Sequence, residues 1–124
     1  MENKWKNKNF FIALKNALNG IKYVFITQRN MKIQLCFAII ATVMAIILKC
    51  NHIEFCIIIL VIFFVLFAEL INTAIEKSID VYTEEYNENA KVAKDIAAGA
   101  VTLTSTAAVL IGAIIFLPKI LNIL

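Results

Sequence analysis

The chain has 124 residues, 61% of them hydrophobic and 17% charged, with a formal net charge of +3 and a mean hydropathy of +0.82. A soluble domain of this size is about half apolar and a quarter charged, so the composition excludes one and points to an all-α integral membrane protein of a single domain, residues 1–124. No nucleic-acid partner is expected, and no small-residue cleavage site follows the first apolar run, so the lysine-bearing start of the chain is expected to be retained.

The first expected element is an amphipathic helix over about residues 8–28. Phe11, Leu14, Leu18, Ile21 and Phe25 recur at three- and four-residue steps, with Lys15, Asn16, Asn19 and Lys22 between them. That is the pattern of a helix lying on a membrane surface. Gly20 within it is tolerated at a small cost or permits close packing. Three membrane spans follow, over about 31–49, 53–76 and 95–118. The first is short against the ~20 residues a span needs, and Lys32 and Lys49 can extend it by snorkelling. Asn51 and His52 are read as the turn into the second span. A polar segment from Glu76 to Asp95 then carries nearly all the remaining charge. The third span is rich in Ala, Gly and Thr, a face that lets membrane helices approach closely.

Seven of the twelve Lys and Arg residues precede the first span (Lys4, Lys6, Lys8, Lys15, Lys22, Arg29, Lys32), and Lys77, Lys91 and Lys94 lie between spans two and three. Only Lys49 and Lys119 are left for the other side. The positive-inside rule therefore predicts a multi-pass protein of the cell membrane, with the N-terminus and the 76–95 segment cytoplasmic and the C-terminus outside. Trp5, Tyr23, Tyr82 and Tyr86 read as interfacial anchors. Cys36, Cys50 and Cys56 form no CxxC pair and read as buried apolar thiols.

The feature that composition does not explain is Glu69, which follows an uninterrupted apolar run from Phe55 to Ala68. On a helix, Glu69, Asn72, Glu76 and Asp80 share a sector of roughly 80°. An ionisable group at membrane depth costs at least ~2.5 kcal/mol and is a functional-site candidate by default. Glu69 stands ~21 Å along the helix from Phe55, several ångströms short of the cytoplasmic surface, and Glu76 stands ~10 Å further on, at that surface. A carboxylate in a dry setting can serve as a general base. One at the wet boundary can ligate Mg²⁺. Asn72 between them can orient a hydroxyl or Glu69 itself, and Lys94, beside Asp95 at the mouth of the third span, can meet a phosphate. These are the parts of phosphoryl transfer, although no glycine-rich phosphate loop is present. The plainer alternatives are a Glu69 that only joins the bundle, a solvated acidic segment at Glu84, Glu85 and Glu88, and a Lys94–Asp95 pair that only starts a helix. A small proton-coupled exporter with Glu69 as its carrier carboxyl is the alternative from another functional class, although such exporters have four spans.

Glu69-Leu-Ile-Asn72-Thr-Ala-Ile-Glu76 with Asp80, then Glu85-Tyr86, then Ala93-Lys94-Asp95-Ile-Ala-Ala-Gly-Ala-Val101 resembles the signature of the small prokaryotic diacylglycerol kinase family. Gly20-Ile-Lys-Tyr23 and Arg29-Asn-Met-Lys-Ile33 resemble its Gram-positive branch, whose members act as undecaprenol kinases. The resemblance runs from about Phe10 to Ile120. It implies a membrane homotrimer of a surface helix and three spans per chain, with active sites between subunits at the cytoplasmic interface. It also implies transfer of the ATP γ-phosphate to a lipid hydroxyl, undecaprenol or diacylglycerol, with Mg²⁺. Carried over by motif, Glu69 is the base, Glu76 a metal ligand, and Asn72 a support for the site. Glu85, Tyr86, Asn87, Lys94 and Asp95 contact nucleotide beside Glu76. Two residues depart from the pattern. Gln28 stands where the family usually has a metal-holding Glu, and Asn87 where it commonly has His. An inactive or weakened relative is the reading those departures leave open.

Overall fold

The computed structural model describes Lys6 and residues 9–124. Lys4, Trp5 and Lys8, used above for orientation and anchoring, lie outside the described residues. Four helices follow one another, α1 (Phe10–Thr27), α2 (Arg29–Ile47), α3 (His52–Tyr82) and α4 (Glu88–Ile123), and there is no strand among the described residues. The last three are long and apolar enough to cross a membrane. In hydrocarbon a helix satisfies its backbone groups internally, which is why these runs take this form.

Each helix end has a local cause. Asn9 accepts from Ile12 N at 2.9 Å and opens α1. Gln28, extended at φ −98° and ψ 117°, is at once the last cap of α1 and the first of α2. The chain therefore changes direction there without a loop. At the end of α2, Lys49 takes φ 54°, while Cys50 N donates to Ala45 O at 3.0 Å and Lys49 N to Ile46 O at 3.2 Å. This is a Schellman stop built on a residue other than glycine. Asn51 caps α3 in a reciprocal box with Glu54, so His52, expected in the turn, is the first residue of the helix. Thr83 ends α3 and Asn87 starts α4.

The polar 76–95 segment is thus mostly helical, with a connection of only residues 83–87. Helix α4 also continues through Pro118 to Ile123, beyond the expected end of the third span. Neighbouring helices re-satisfy the carbonyl a proline frees in a membrane helix.

The buried core is Ala45, Ile58, Ile115 and Phe116, where α2, α3 and α4 meet at the Asn51 end. Large apolar residues elsewhere, such as Phe37, Phe63 and Leu103, face outward, as lipid-facing positions do. Two expectations are corrected. Cys36 and Cys56 are exposed on the chain's outer surface and only Cys50 is half-buried, because the outward faces of these spans are as apolar as the inward ones. Burial raises the Cys50 thiol's pKa, and the nearby Glu54 adds to that. Gly20 has no atom within 4 Å of where a Cβ would stand, so close packing within the chain does not explain it.

Candidate active site on the cytoplasmic half of α3

Three of the stripe residues are brought together in a covered position. Glu69 is 1% exposed and Asn72 7%, and Glu76, one turn further, is half-buried. Asn72 Nδ2 donates to Glu76 Oε1 at 3.4 Å, so the amide tethers the outer carboxylate. Thr73, also buried, is satisfied by donating to Glu69 O at 2.9 Å. Two acceptors on the same face are not satisfied, since Glu69 Oε2 and Asn72 Oδ1 are fully covered and have no hydrogen-bond partner. Leaving such a group unpaired costs about 1–3 kcal/mol, more if charged, so these atoms are of interest as receivers of a hydrogen from outside the chain.

Asp80 continues the stripe beyond the covered part and reaches α4. Its Oδ1 accepts from Lys94 Nζ at 2.9 Å, which fixes the ammonium at the cytoplasmic end of the α3–α4 seam. The pairing joins residues 14 apart in sequence and follows from the short 83–87 connection. Asp95 points elsewhere on α4 and pairs with Lys91 at 2.6 Å. Across the seam's other edge, the Lys77 ammonium stands 5.5 Å from the centroid of the Tyr23 ring. That contact holds the surface helix against α3.

The remaining sequence-predicted residues are not gathered around Glu69. Tyr86 is 82% exposed, and Glu85 lies in the connection with its N–H donating to Thr83 Oγ1 at 3.2 Å. The Asn87 side chain accepts from Ala90 N at 3.1 Å and caps α4. Gln28 is half-buried at the α1–α2 junction, with its Nε2 donating to Thr27 Oγ1 at 3.4 Å. Among the described residues no group of three or more His, Cys, Asp or Glu could hold a metal ion.

Two grooves flank the stripe. One, of about 520 Å³ between α3 and α4, is lined by Phe67, Ile71, Ala97 and Ala100, with Asn72 and Thr104 as its polar members. The other, of about 660 Å³, runs among α2, α3 and α4 and includes Gln34, Phe37, Ile62, Val65 and Leu66. The reading of the sequence passed over Gln34. Its Oε1, like those of Glu69 and Asn72, is covered and unpartnered. The signal available was a lone amide two residues beyond Lys32 inside an otherwise apolar span.

Taken together, the face offers a dry carboxylate, a wetter carboxylate two turns on and an ammonium at the mouth, all beside apolar grooves. A proton can be taken at the first from a hydroxyl that arrives through lipid, while a polyanion approaches the others from water.

Comparison with known proteins agrees with that arrangement. The family model described as prokaryotic diacylglycerol kinase matches residues 15–116. A diacylglycerol kinase of Synechocystis is 35% identical over 99% of this chain and 71% of its own length. An undecaprenol kinase of Bacillus subtilis is 37% identical over 90% of each chain. A diacylglycerol kinase of Helicobacter pylori is 33% identical over 75% of this chain and 73% of its own.

Proposed function

The chain belongs to the prokaryotic diacylglycerol kinase family and is a membrane lipid kinase, and from that premise we propose that it phosphorylates a lipid alcohol with ATP, undecaprenol ahead of diacylglycerol. The observation that carries the reading is Glu69, almost fully covered with one carboxylate oxygen unpartnered, on the same helical face as the half-buried Glu76. The choice of undecaprenol is supported by the Bacillus subtilis relative's name and coverage. Diacylglycerol, the acceptor in the names of the other two, is the second reading. A proton-coupled exporter is not favoured by these relatives.

In the proposed reaction the lipid hydroxyl reaches Glu69 from the hydrocarbon side and gives it its proton as the oxygen bonds to the γ-phosphorus. The bond from that phosphorus to the bridging oxygen breaks, and ADP leaves. Glu69 then passes the proton to water. Asn72 holds Glu76 in place, and Lys94, already fixed by Asp80, meets phosphate charge as a point cation. Glu85, Tyr86, Asn87 and Asp95 are the residues from which nucleotide contacts would come. Glu85 and Tyr86 do so from an exposed connection. Mg²⁺ arriving with the nucleotide would neutralise charge on the phosphate oxygens. The sparse donor set fits that ion, because Mg²⁺ is usually held by one or two carboxylates and keeps waters and phosphate oxygens as its other ligands. Glu76, with the Gln28 amide, would hold it.

The homotrimer is supported by the family resemblance and by the small-residue face of α4. Ala98, Ala100 and Thr102 are exposed, and a Cβ at Gly99 would meet nothing within 4 Å. The orientation, N-terminus cytoplasmic and C-terminus outside, rests on the distribution of Lys and Arg.

The reading is tested by incubating the purified protein with labelled ATP, Mg²⁺ and each lipid in turn. Label in undecaprenyl phosphate above that in phosphatidate is expected. Label in neither lipid would contradict the reading.

A further inference from the structure

We propose that Gln34 is a substrate-binding residue that grips the hydroxyl of the lipid acceptor opposite Glu69, and that the α2–α3–α4 groove is the channel along which that lipid's chain lies. The proposal rests on the kinase reading for the identity of the acceptor as a lipid alcohol, but its own argument is geometric.

The first observation is register. Helices α2 and α3 run antiparallel, and the core sets Ala45 beside Ile58, with Ala41 and Ile62 packed against them. Each further turn advances one helix by about four residues while the other recedes by four. The pairing therefore continues to Gln34 on α2 and Glu69 on α3, at one depth in the membrane. The next turn pairs Met31 with Asn72, and Met31, like Glu69, is almost wholly covered.

The second observation is the groove. Its α3 wall is Ile58, Val61, Ile62, Val65 and Leu66, the helical face whose next turn carries Glu69. From Ile58 to Glu69 this face is ~16 Å long, which suits an extended hydrocarbon chain and is lined to match one. A lipid tail seated there ends at the level of the carboxyl.

The third observation is satisfaction of polar groups. Thr102 and Thr106, also on the groove, already donate to Ala98 O and Thr102 O at 3.0 and 2.8 Å. Gln34 differs from them, because its Oε1 is covered and has no partner. Two acceptors at one depth, Gln34 Oε1 and Glu69 Oε2, cannot both be served by the single hydrogen of a hydroxyl. An amide resolves this by turning over, since its two ends are nearly the same shape. The lipid hydroxyl then accepts a hydrogen bond from the Gln34 NH₂ and donates its own hydrogen to Glu69. One oxygen lone pair is left free, directed away from both.

The test reads binding without turnover. A long-chain prenol and its O-methyl ether compete for the protein in nanodiscs, with no ATP present, against a photoreactive prenol. The ether keeps the chain and loses the donated hydrogen. Wild-type protein is expected to prefer the alcohol by about tenfold. Gln34→Leu is expected to weaken alcohol binding about five- to tenfold and to leave ether binding within about twofold. Gln34→Asn, which keeps a shorter amide, should fall between and provides the readout if the Leu variant does not fold. A merely structural role would weaken alcohol and ether alike, and that result, or an unchanged alcohol affinity in both variants, overturns the assignment. If the alcohol preference depends on Gln34 but the wild-type protein transfers no phosphate from ATP to any lipid, the Gln34 assignment stands and the kinase reading falls.

Discussion

Helix α3 carries a glutamate near each end, and the fold treats the two in opposite ways. Glu54 accepts from Asn51 N at 3.0 Å and pairs with Lys119 of α4 at 3.1 Å, beside the Ala45, Ile58, Ile115 and Phe116 core. Glu69 is more deeply covered than Glu54, yet its Oε2 has no partner. The end with the packed core satisfies its polar groups, and the end with the stripe leaves Glu69 and Asn72 acceptors open. Unpaired covered acceptors destabilise a fold, so their concentration on one face marks a place kept for chemistry, while the Glu54 end supplies the rigidity.

That contrast can be broken by substitutions at each end. The largest effect after Glu69 itself is expected at Glu76. Glu76→Gln should lower turnover by about 10²–10³-fold and raise the Mg²⁺ concentration needed for half-maximal rate, read from a magnesium titration. Lys94→Met should raise the KM for ATP about tenfold and leave the KM for lipid unchanged. The freed Asp80 then repels the polyphosphate and adds to the loss. Gln28→Glu runs the other way. A second carboxylate near the metal should lower the Mg²⁺ requirement about threefold, and an unchanged titration would remove Gln28 from the site. The smallest effect on turnover is expected at the other end. Glu54→Gln should leave the rate within about twofold while lowering the melting temperature, because it weakens both the capping box and the tie to Lys119.

Much of this was legible in the sequence, for identifiable reasons. Uninterrupted apolar runs give spans their length and order, and a 3.6-residue period put Glu69, Asn72 and Glu76 on one face before any coordinates. The helical extension of α3 to Tyr82 was not read, because charged residues at helical spacing beyond a span look the same as a solvated loop. Asn87 is instructive. Its identity was read through the family pattern, whereas an Asn before Glu88, three residues ahead of Ala90, is also a plain N-cap signal, and that is the role its side chain takes in the structure. The Asp80–Lys94 pair and the depth of Gln34 were out of reach for another reason. Both depend on which faces of two different helices meet, and no spacing within one helix contains that information.

The central claim is that the unpartnered glutamate performs the reaction and the partnered one does not. Its most direct test measures phosphate transfer and thermal stability together for Glu69→Gln and Glu54→Gln in the same membrane preparation. The account predicts that Glu69→Gln loses about 10²–10⁴-fold in turnover with a melting temperature at or above that of the unaltered protein. Glu54→Gln should melt earlier and turn over at close to the full rate. A Glu69→Gln protein that still phosphorylates lipid at the unaltered rate would contradict it.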